Sequence, residues 1–187
     1  MIFELESGRL RLRAWKEEDK EPFFRLNSNP EVMEFFPGTL TQEQSDVLLD
    51  NCIRKFESQN GWGLWAVELK QGGEFIGFVG LNIPKIEFPF SSSPFVEIGW
   101  RLDKPHWGKG YACEAARRVL AFAFMEINLE EIVAFTAVPN YRSESVMKKL
   151  DMIRDEHTFM HPALAEGHPL REHVLYRLSR SHYLSSR

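Results

Sequence analysis

A turn with two glycines near the middle of the chain constrains the fold more than any other feature. The strand-like run Phe95–Leu102 precedes the turn, and an Ala-rich helical pattern follows it. The turn itself reads His106-Trp107-Gly108-Lys109-Gly110-Tyr111-Ala112. Glycine removes the side chain where a backbone must come close to a ligand, and the N-terminus of a helix carries partial positive charge. Strand, glycine turn and helix in this order predict an α/β fold with a turn that can bind an anion.

Two common nucleotide-binding motifs do not fit this turn. A dinucleotide site needs G-x-G-x-x-G, and Cys113 stands where the third glycine should be. A nucleotide P-loop needs Gly-Lys followed by Ser or Thr, whereas Lys109 is followed by Gly110. The two glycines alone therefore leave two interpretations open, an ordinary tight turn and an anion site of another class.

Hydrophobic periodicity predicts strands and helices along the rest of the chain. The predicted strands are residues 9–15, 64–69, 74–83, 96–102, 132–138, 152–159 and 173–178. The first helix follows Glu17 and stops at Asn29-Pro30, and the capping box Thr41-Gln42-Glu43-Gln44 starts the second. The third helix follows the glycine turn, and the fourth covers about residues 143–150. Gly99, inside a strand, predicts a bulge or a close backbone approach.

Composition limits the classes of partner. The 187 residues, 43% of them hydrophobic, predict one domain spanning residues 1–187. A net charge of −4 argues against general binding to nucleic acid, and no apolar run approaches the roughly 18 residues of a membrane span. Cys52 and Cys113 are isolated, as expected in the reducing cytoplasm. His157 and His161 have helical spacing but fall in a strand-to-loop region without a third ligand, so no metal site is predicted.

The residues around the turn resemble the GNAT superfamily of acetyl-CoA-dependent N-acetyltransferases. Gly110 and Ala112 match the last two elements of its signature [Q/R]-x-x-G-x-[G/A], while Trp107 replaces the usual Gln or Arg. The stretch from Trp107 to Ala115 looks like the branch of ribosomal-protein serine and alanine N-acetyltransferases, the RimJ/RimL type. Asn140-x-x-Ser143 and the residues after it also look like this branch, although Asp151 stands where glycine is usual. The resemblance covers about residues 7–180. It implies a mixed, largely antiparallel sheet of about six or seven strands, a central splayed strand pair and about four helices.

By this resemblance, the acyl donor is acetyl-CoA, and its pyrophosphate would contact the backbone of the turn. The implied contacts are Trp107, Gly108, Lys109, Gly110, Tyr111 and Ala112. The edge formed by Trp100, Arg101 and Leu102 would pair with the pantetheine amides, and Asn140 would orient that arm. Lys109 could equally be a solvated lysine, and Asn140 a simple turn residue.

Two residues are candidates for proton transfer. Glu97, on a central strand, is the candidate base, acting through a water; the alternative is a glutamate paired with a surface Arg or Lys. Ser143 is the candidate acid or thiolate stabiliser; the alternative is a helix N-cap, and both roles can hold at once. Many members of the superfamily use a Tyr in this helix as the acid, and Met147 stands in the corresponding stretch here.

The predicted function is therefore acetyl transfer to a primary amine. By branch resemblance, the acceptor is a protein N-terminal α-amine such as that of a ribosomal protein. The alternatives are a small-molecule amine such as an aminoglycoside or a polyamine, and a coenzyme-A-binding sensor without turnover. Phe35-Phe36-Pro37 and Phe88-Pro89-Phe90 are interpreted either as core packing or as contacts with an acceptor or with a second copy of the chain. The expected location is the cytoplasm, and a homodimer is left open.

Overall fold

A computed structural model describes residues 2–92 and 94–186; Met1, Ser93 and Arg187 lie outside the described residues. The strands are β1 (Leu5–Glu6), β2 (Leu10–Arg13), β3 (Leu64–Leu69), β4 (Phe75–Asn82), β5 (Glu97–Leu102), β6 (Glu131–Ala137), β7 (Ile153–Arg154), β8 (Phe159–Met160) and β9 (Glu172–Ser179). The α-helices are α1 (Lys20–Ser28), α2 (Gln42–Ser58), α3 (Tyr111–Ala121), α4 (Tyr141–Lys149) and α5 (Arg180–Ser185). A π-helical turn, Phe122–Glu126, extends α3.

The hydrogen-bonding order of the strands is β1-β2-β3-β4-β5-β6-β9-β7, and β8 pairs with β9. β5 pairs with β6 in parallel, whereas β6, β7 and β8 each pair with a neighbour in antiparallel fashion. The predicted α/β fold with a mixed, largely antiparallel sheet is confirmed. The predicted numbers of strands and helices were too low, because β1, β7, β8 and α5 were missed or merged. β1, β7 and β8 have two residues each, which is too few for an alternating pattern to be visible in the sequence. Each of them forms because a longer strand is there to pair with it.

Contacts within the chain divide it into two compact units, and the first comprises Met1–Leu81 and Gly99–Val119. Its hydrophobic cluster contains Phe23 and Leu26 from α1, Leu49 from α2, Val32 and Phe78. The predicted capping box of α2 is present: Thr41 Oγ1 accepts from the Gln44 amide, and the Gln44 side chain accepts from the Thr41 amide. A Cβ at Gly77 would lie 2.2 Å from the Arg101 carbonyl oxygen, so glycine lets β4 and β5 pack closely here.

The second unit comprises Asn82–Ile98 and Leu120–Arg187. β6 and β9 pair along their whole length, from Glu131 opposite Ser179 to Ala137 opposite His173. Phe88 is buried in a cluster with Val133, Phe159 and Leu175, so for Phe88 the packing interpretation is confirmed. None of the helices in residues 2–92 and 94–186 has the length and apolar character needed to cross a membrane.

α4 ends without the glycine that is usual after this helix, because Asp151 takes its place. Asp151 adopts a left-handed conformation, with φ +58°, directly after the last helical turn. The Asp151 amide donates to the Lys148 carbonyl, and the Met152 amide donates to the Met147 carbonyl. Asp tolerates this conformation better than most residues with a Cβ, so the helix closes as it would with glycine, at some cost in strain.

Candidate active site

The glycine turn has the geometry of an anion cradle. Gly108 and Gly110 have φ values of +73° and +83°, a region that other residues adopt at a cost, and α3 begins directly after them at Tyr111. No atom lies within 4 Å of a Cβ placed on Gly108, and the nearest to one on Gly110 is Arg9 Nη2 at 3.5 Å. Gly108, Lys109 and Gly110 are all exposed. The first amides of an eleven-residue helix are therefore open to a ligand, which fits a phosphate group.

Arg9, which the sequence analysis missed, places a cation on this turn. Its Nη1 donates to the Lys109 carbonyl at 3.0 Å, and its Nε donates to Glu114 Oε2 at 2.6 Å. The guanidinium lies over the Tyr111 ring, 4.4 Å from the ring centre. Arg9 lies about a hundred residues before the turn, so only the tertiary fold brings them together. No local pattern in the sequence could have identified it.

Glu114 holds this arrangement from the first turn of α3. Its Oε1 accepts from the Ser7 hydroxyl at 2.7 Å and from the Arg9 amide at 2.8 Å. Burial raises the pKa of Glu114, but these hydrogen bonds and the Arg9 charge outweigh burial and bring the pKa below its usual value. Glu114 therefore stays ionised at neutral pH and keeps the Arg9 guanidinium beside the turn.

Trp107 stands where the signature [Q/R]-x-x-G-x-[G/A] has Gln or Arg, and its contacts account for this difference. Its indole N–H donates to the Leu102 carbonyl at 2.7 Å, and its ring packs against the cluster that contains Phe23 and Phe78. The side chain therefore joins the end of β5 to the turn. Any contact between Trp107 and a phosphate would be made by the Trp107 backbone, as the sequence predicts for the whole turn.

The predicted pantetheine edge, Trp100 to Leu102, is the second half of β5. Leu102 is buried, and its carbonyl is the acceptor of the Trp107 bond. The side chain of Arg101 extends to α1, where Nη1 donates to Asn27 Oδ1. Any contact of Arg101 with the cofactor would therefore be made by its backbone, because its guanidinium donates to Asn27.

Glu97 lies at the start of β5, where it is opposite Val133 of β6. The side-chain Nδ2 of Asn82, the last residue of β4, donates to Glu97 Oε1 at 2.5 Å. Glu97 is partly exposed. The sequence analysis did not identify Asn82, because nothing local distinguishes it from a strand-end asparagine.

Asn140 and Ser143 both lie at the start of α4, and Asn140, not Ser143, caps the helix. Asn140 is the N-cap: its Oδ1 accepts from the Ser143 amide at 3.2 Å, and its Nδ2 donates to Thr136 Oγ1 at 2.9 Å. The N-cap interpretation of Ser143 was therefore wrong, because the helix starts two residues earlier, at Tyr141. Ser143 is partly exposed, and its hydroxyl makes no hydrogen bond with the residues that the structure describes. Its O–H can thus donate to a ligand.

The predicted site residues form two groups. The turn, Arg9 and the Trp100–Leu102 edge belong to the first compact unit, and Glu97, Asn140 and Ser143 belong to the second. Across residues 2–92 and 94–186, no three side chains of His, Cys, Asp or Glu come together as metal ligands could. The first group has the features of an anion site, and the second contains the carboxylate and the hydroxyl that the sequence offers as candidates for proton transfer.

Comparison with known proteins adds the family context. A sequence profile of the acetyltransferase (GNAT) domain matches residues 9–153. A Bacillus subtilis protein of uncharacterised function, YkkB, is 34% identical over 149 residues, which cover 79% of this chain and 84% of that protein. The FsC-acetyl coenzyme A-N(2)-transacetylase of Aspergillus fumigatus is 31% identical over 193 residues, which cover 96% of this chain and 77% of the relative.

Solved structures share the fold. An acetyltransferase of the GNAT family from Bacillus anthracis superposes with a TM-score of 0.77 at 25% identity, covering 96% of this chain and 99% of the other. A spermidine N-acetyltransferase of Vibrio cholerae, solved with CoA and spermine, gives 0.70 at 23% identity, with 94% and 98% coverage. A protein of the same organism provisionally assigned as a ribosomal-protein-serine acetyltransferase gives 0.73 at 17% identity, with 96% and 99% coverage. At these two lower identities, the likeness concerns the fold alone.

Proposed function

We propose that this chain, which belongs to the GNAT family of acetyltransferases, acetylates a protein N-terminal α-amine, as its resemblance to the RimJ/RimL branch implies. Family membership makes the chain an N-acetyltransferase rather than a sensor without turnover. The open glycine turn at the start of α3, beside the Arg9 guanidinium, supports acetyl-CoA as the acyl donor.

The first unit would hold acetyl-CoA by its phosphates. The residues that would bind them are the amides of Gly108 to Ala112, together with the charge of Arg9 and, if its side chain reaches, that of Lys109. The backbone of Trp100 to Leu102 would align the pantetheine arm. When bound, the thioester supplies an activated acetyl group. Because the turn amides and the Arg9 charge are both fixed in place, phosphate binding needs little rearrangement.

Glu97 takes the proton that the acceptor amine loses as its nitrogen forms the bond to the acetyl carbon. The bond from that carbon to sulfur breaks, the electron pair leaves with sulfur as the thiolate, and the Ser143 hydroxyl donates a hydrogen bond to that thiolate. Asn82 keeps the Glu97 carboxylate oriented through its 2.5 Å hydrogen bond. These assignments account for both charges that change during transfer, the one on the amine and the one on the thiolate.

The acceptor class follows from proton chemistry. An α-amine has a pKa of about 7.7–8.0, against about 10.4 for lysine, so roughly a tenth of an α-amine is already neutral at pH 7. A single carboxylate acting through water is a sufficient base for such an amine. The branch resemblance supports a ribosomal protein as the acceptor, and we propose that the enzyme works in the cytoplasm, where its two buried free cysteines stay reduced.

A small-molecule α-amine is the second candidate. The observation that favours it is the relative named as an N(2)-transacetylase, which is similar along 96% of this chain. That name describes an acetyl transfer from acetyl coenzyme A to a nitrogen designated N(2), and this chain could use the same acid–base residues on a small-molecule amine.

A thiol-release assay with acetyl-CoA separates the candidates. The panel contains N-terminal peptides, the same peptides with a blocked N-terminus and one lysine, a polyamine, an aminoglycoside and free amino acids. We expect the free N-terminal peptides to have the highest kcat/KM. A higher kcat/KM for a small amine would replace the peptide acceptor. Light scattering during size-exclusion chromatography measures whether the enzyme is a monomer or a homodimer.

A further inference from the structure

Two neighbouring histidines, His161 and His173, form a pair in the second compact unit. His173 lies on β9, and His161 directly follows β8, whose Phe159 is opposite His173. The centres of the two imidazole rings are 4.8 Å apart, with 40° between their planes. Neither histidine takes part in the proton transfers proposed above.

The hydrogen bonds of each ring determine which nitrogen carries its proton. His161 Nδ1 accepts from the Ala163 amide at 3.3 Å, so the proton of this ring is on Nε2. His173 Nδ1 lies 3.1 Å from the Arg171 carbonyl oxygen, which can only accept, so the proton is on Nδ1 and Nε2 has a lone pair. Burial lowers the pKa of both rings, that of His173 to about 4, so both are neutral at neutral pH. The pair therefore presents one donor, His161 Nε2–H, and one acceptor, His173 Nε2.

This donor and this acceptor are not used within the described part of the chain. Neither Nε2 has a hydrogen-bond partner there, and no hydrogen bond joins the two rings. Neither nitrogen is closed off from water, since His161 is partly exposed and His173 keeps 9% of its surface exposed. The ring centres of Phe88 and Phe135 lie 5.2 and 5.9 Å from that of His161. Phenyl rings cannot replace water as a hydrogen-bond partner, so a ligand that displaces water here has to supply both partners itself.

Strand register relates the pair to Glu97. Glu97 is opposite Val133 in the parallel pair of β5 and β6, and Ala137 is opposite His173 in the pair of β6 and β9. Residues opposite each other share a face of the sheet, as do residues two or four apart along one strand. Glu97 and His173 therefore lie on one face, separated along β6 by about 13 Å at about 3.3 Å per residue. An extended peptide covers this distance with about four residues.

We propose that His161 and His173 bind the backbone of an extended peptide acceptor at its fourth or fifth residue. One residue of an extended chain turns its N–H and its C=O to the same side, as in a hydrogen-bonded pair of antiparallel strands. The N–H would donate to His173 Nε2, and the C=O would accept from His161 Nε2–H. The inference rests on the proposed function, since it takes Glu97 as the point where the amine reacts. It makes the enzyme select acceptors by length, in favour of peptides over small amines.

Peptides of two to eight residues with amidated C-termini test this dependence on length. The readout is kcat/KM in the thiol-release assay. We expect kcat/KM to rise about fivefold to thirtyfold between three and five residues, the range of one to two hydrogen bonds, and to stay level in longer peptides. The change should be in KM, because a contact remote from the amine is the same before and during transfer. A series without this step overturns the proposal.

A peptide with an ester in place of one backbone amide locates the contact. The ester lacks the N–H that would donate to His173, so at the fourth or fifth residue it should lower the wild-type kcat/KM about fivefold. His173→Phe keeps an aromatic ring and removes the acceptor, so it should acetylate the ester and amide peptides equally. His161→Phe should still favour the amide peptide, because this variant loses only the donor. An ester without effect at both positions in the wild type, or with the same effect in His173→Phe, overturns the proposal.

His157→Phe is the matched control. His157 is an exposed histidine of the same unit, between β7 and β8, and its substitution should keep the wild-type ratio of amide to ester. Thermal unfolding of each variant shows whether it is folded. If His173→Phe does not fold, the length series and the ester peptides with the wild type decide the proposal.

The failure of the proposed function has a different signature. If peptides of every length react equally well, the proposed function stands and the role of the histidine pair is overturned. If no peptide is acetylated, the proposed function fails, and calorimetric titration of the six-residue amide and ester peptides into the wild type tests the pair by itself. No binding, or equal binding of the two peptides, overturns the assignment of His161 and His173.

Discussion

Replacing Gly110 with alanine tests the anion cradle, because its effects on stability and on binding can be separated. Gly110 has φ +83°, and the nearest atom to an added Cβ is Arg9 Nη2 at 3.5 Å, an ordinary contact. The methyl group therefore fits, and the cost comes from the backbone conformation. Alanine in a left-handed conformation costs about 1–2 kcal/mol, which lowers the Tm of a chain of this size by roughly 2–8 °C.

Gly72→Ala is the matched control. Gly72 lies in the hairpin between β3 and β4, has φ +89°, and has no atom within 4 Å of an added Cβ. Its substitution costs the same backbone strain, far from any residue assigned to the donor. Both variants should therefore lose similar stability in urea titrations, which measure the free energy of unfolding.

Only Gly110→Ala should lose affinity for acetyl-CoA. If the backbone relaxes to negative φ, the amides after it turn away from the phosphate, and if it does not, the methyl group stands where the phosphate would approach. The loss of one charge-assisted hydrogen bond of about 1.5–3 kcal/mol raises the Kd about ten- to a hundredfold. Calorimetric titration with acetyl-CoA measures this. A wild-type Kd in Gly110→Ala, with the same loss of stability as in Gly72→Ala, would refute the cradle.

Three further substitutions test other parts of the structure. Glu97→Gln should lower kcat/KM more at pH 6 than at pH 9, because fewer amines are neutral at low pH; equal losses at the two pH values would remove Glu97 as the base. Asp151→Gly should raise the free energy of unfolding by about 0.5–1 kcal/mol in urea titration, since glycine adopts φ +58° without strain, and no gain would contradict the account of the α4 end. Glu68→Gln should cost about 3 kcal/mol at pH 7 by leaving Arg13 with one carboxylate fewer. Burial raises the pKa of Glu68, but the hydrogen bond and charge of Arg13 outweigh it and lower the pKa. The stabilisation from Glu68 is therefore present above its ordinary pKa and is lost as the pH falls through the lowered one, so the difference between the variant and the wild type should shrink in acid; a constant difference would contradict this pairing.

The periodic elements were predictable because their signal lies within a few neighbouring residues. β3 was predicted with its observed bounds, and the buried stripe of α2, with Leu49, Cys52 and Phe56, follows from its spacing. The predicted strand 152–159 was wrong as one strand, since the structure has β7 and β8 on either side of residues 155–158. Each of these short strands forms only because β9 offers hydrogen bonds to it, and a partner that is distant in sequence leaves no local pattern.

The sequence by itself determined the family, the glycine turn and the acid and hydroxyl proposed for catalysis, because each is a short pattern of residue types at fixed spacing. Only the tertiary structure decided what those residues meet. It places Arg9 on the turn and Asn82 on Glu97. It also gives the Arg101 guanidinium a side-chain amide, that of Asn27, as its hydrogen-bond partner. These contacts join strands and helices through packing and hydrogen bonds between residues that are separate in the chain, so no local pattern could predict them.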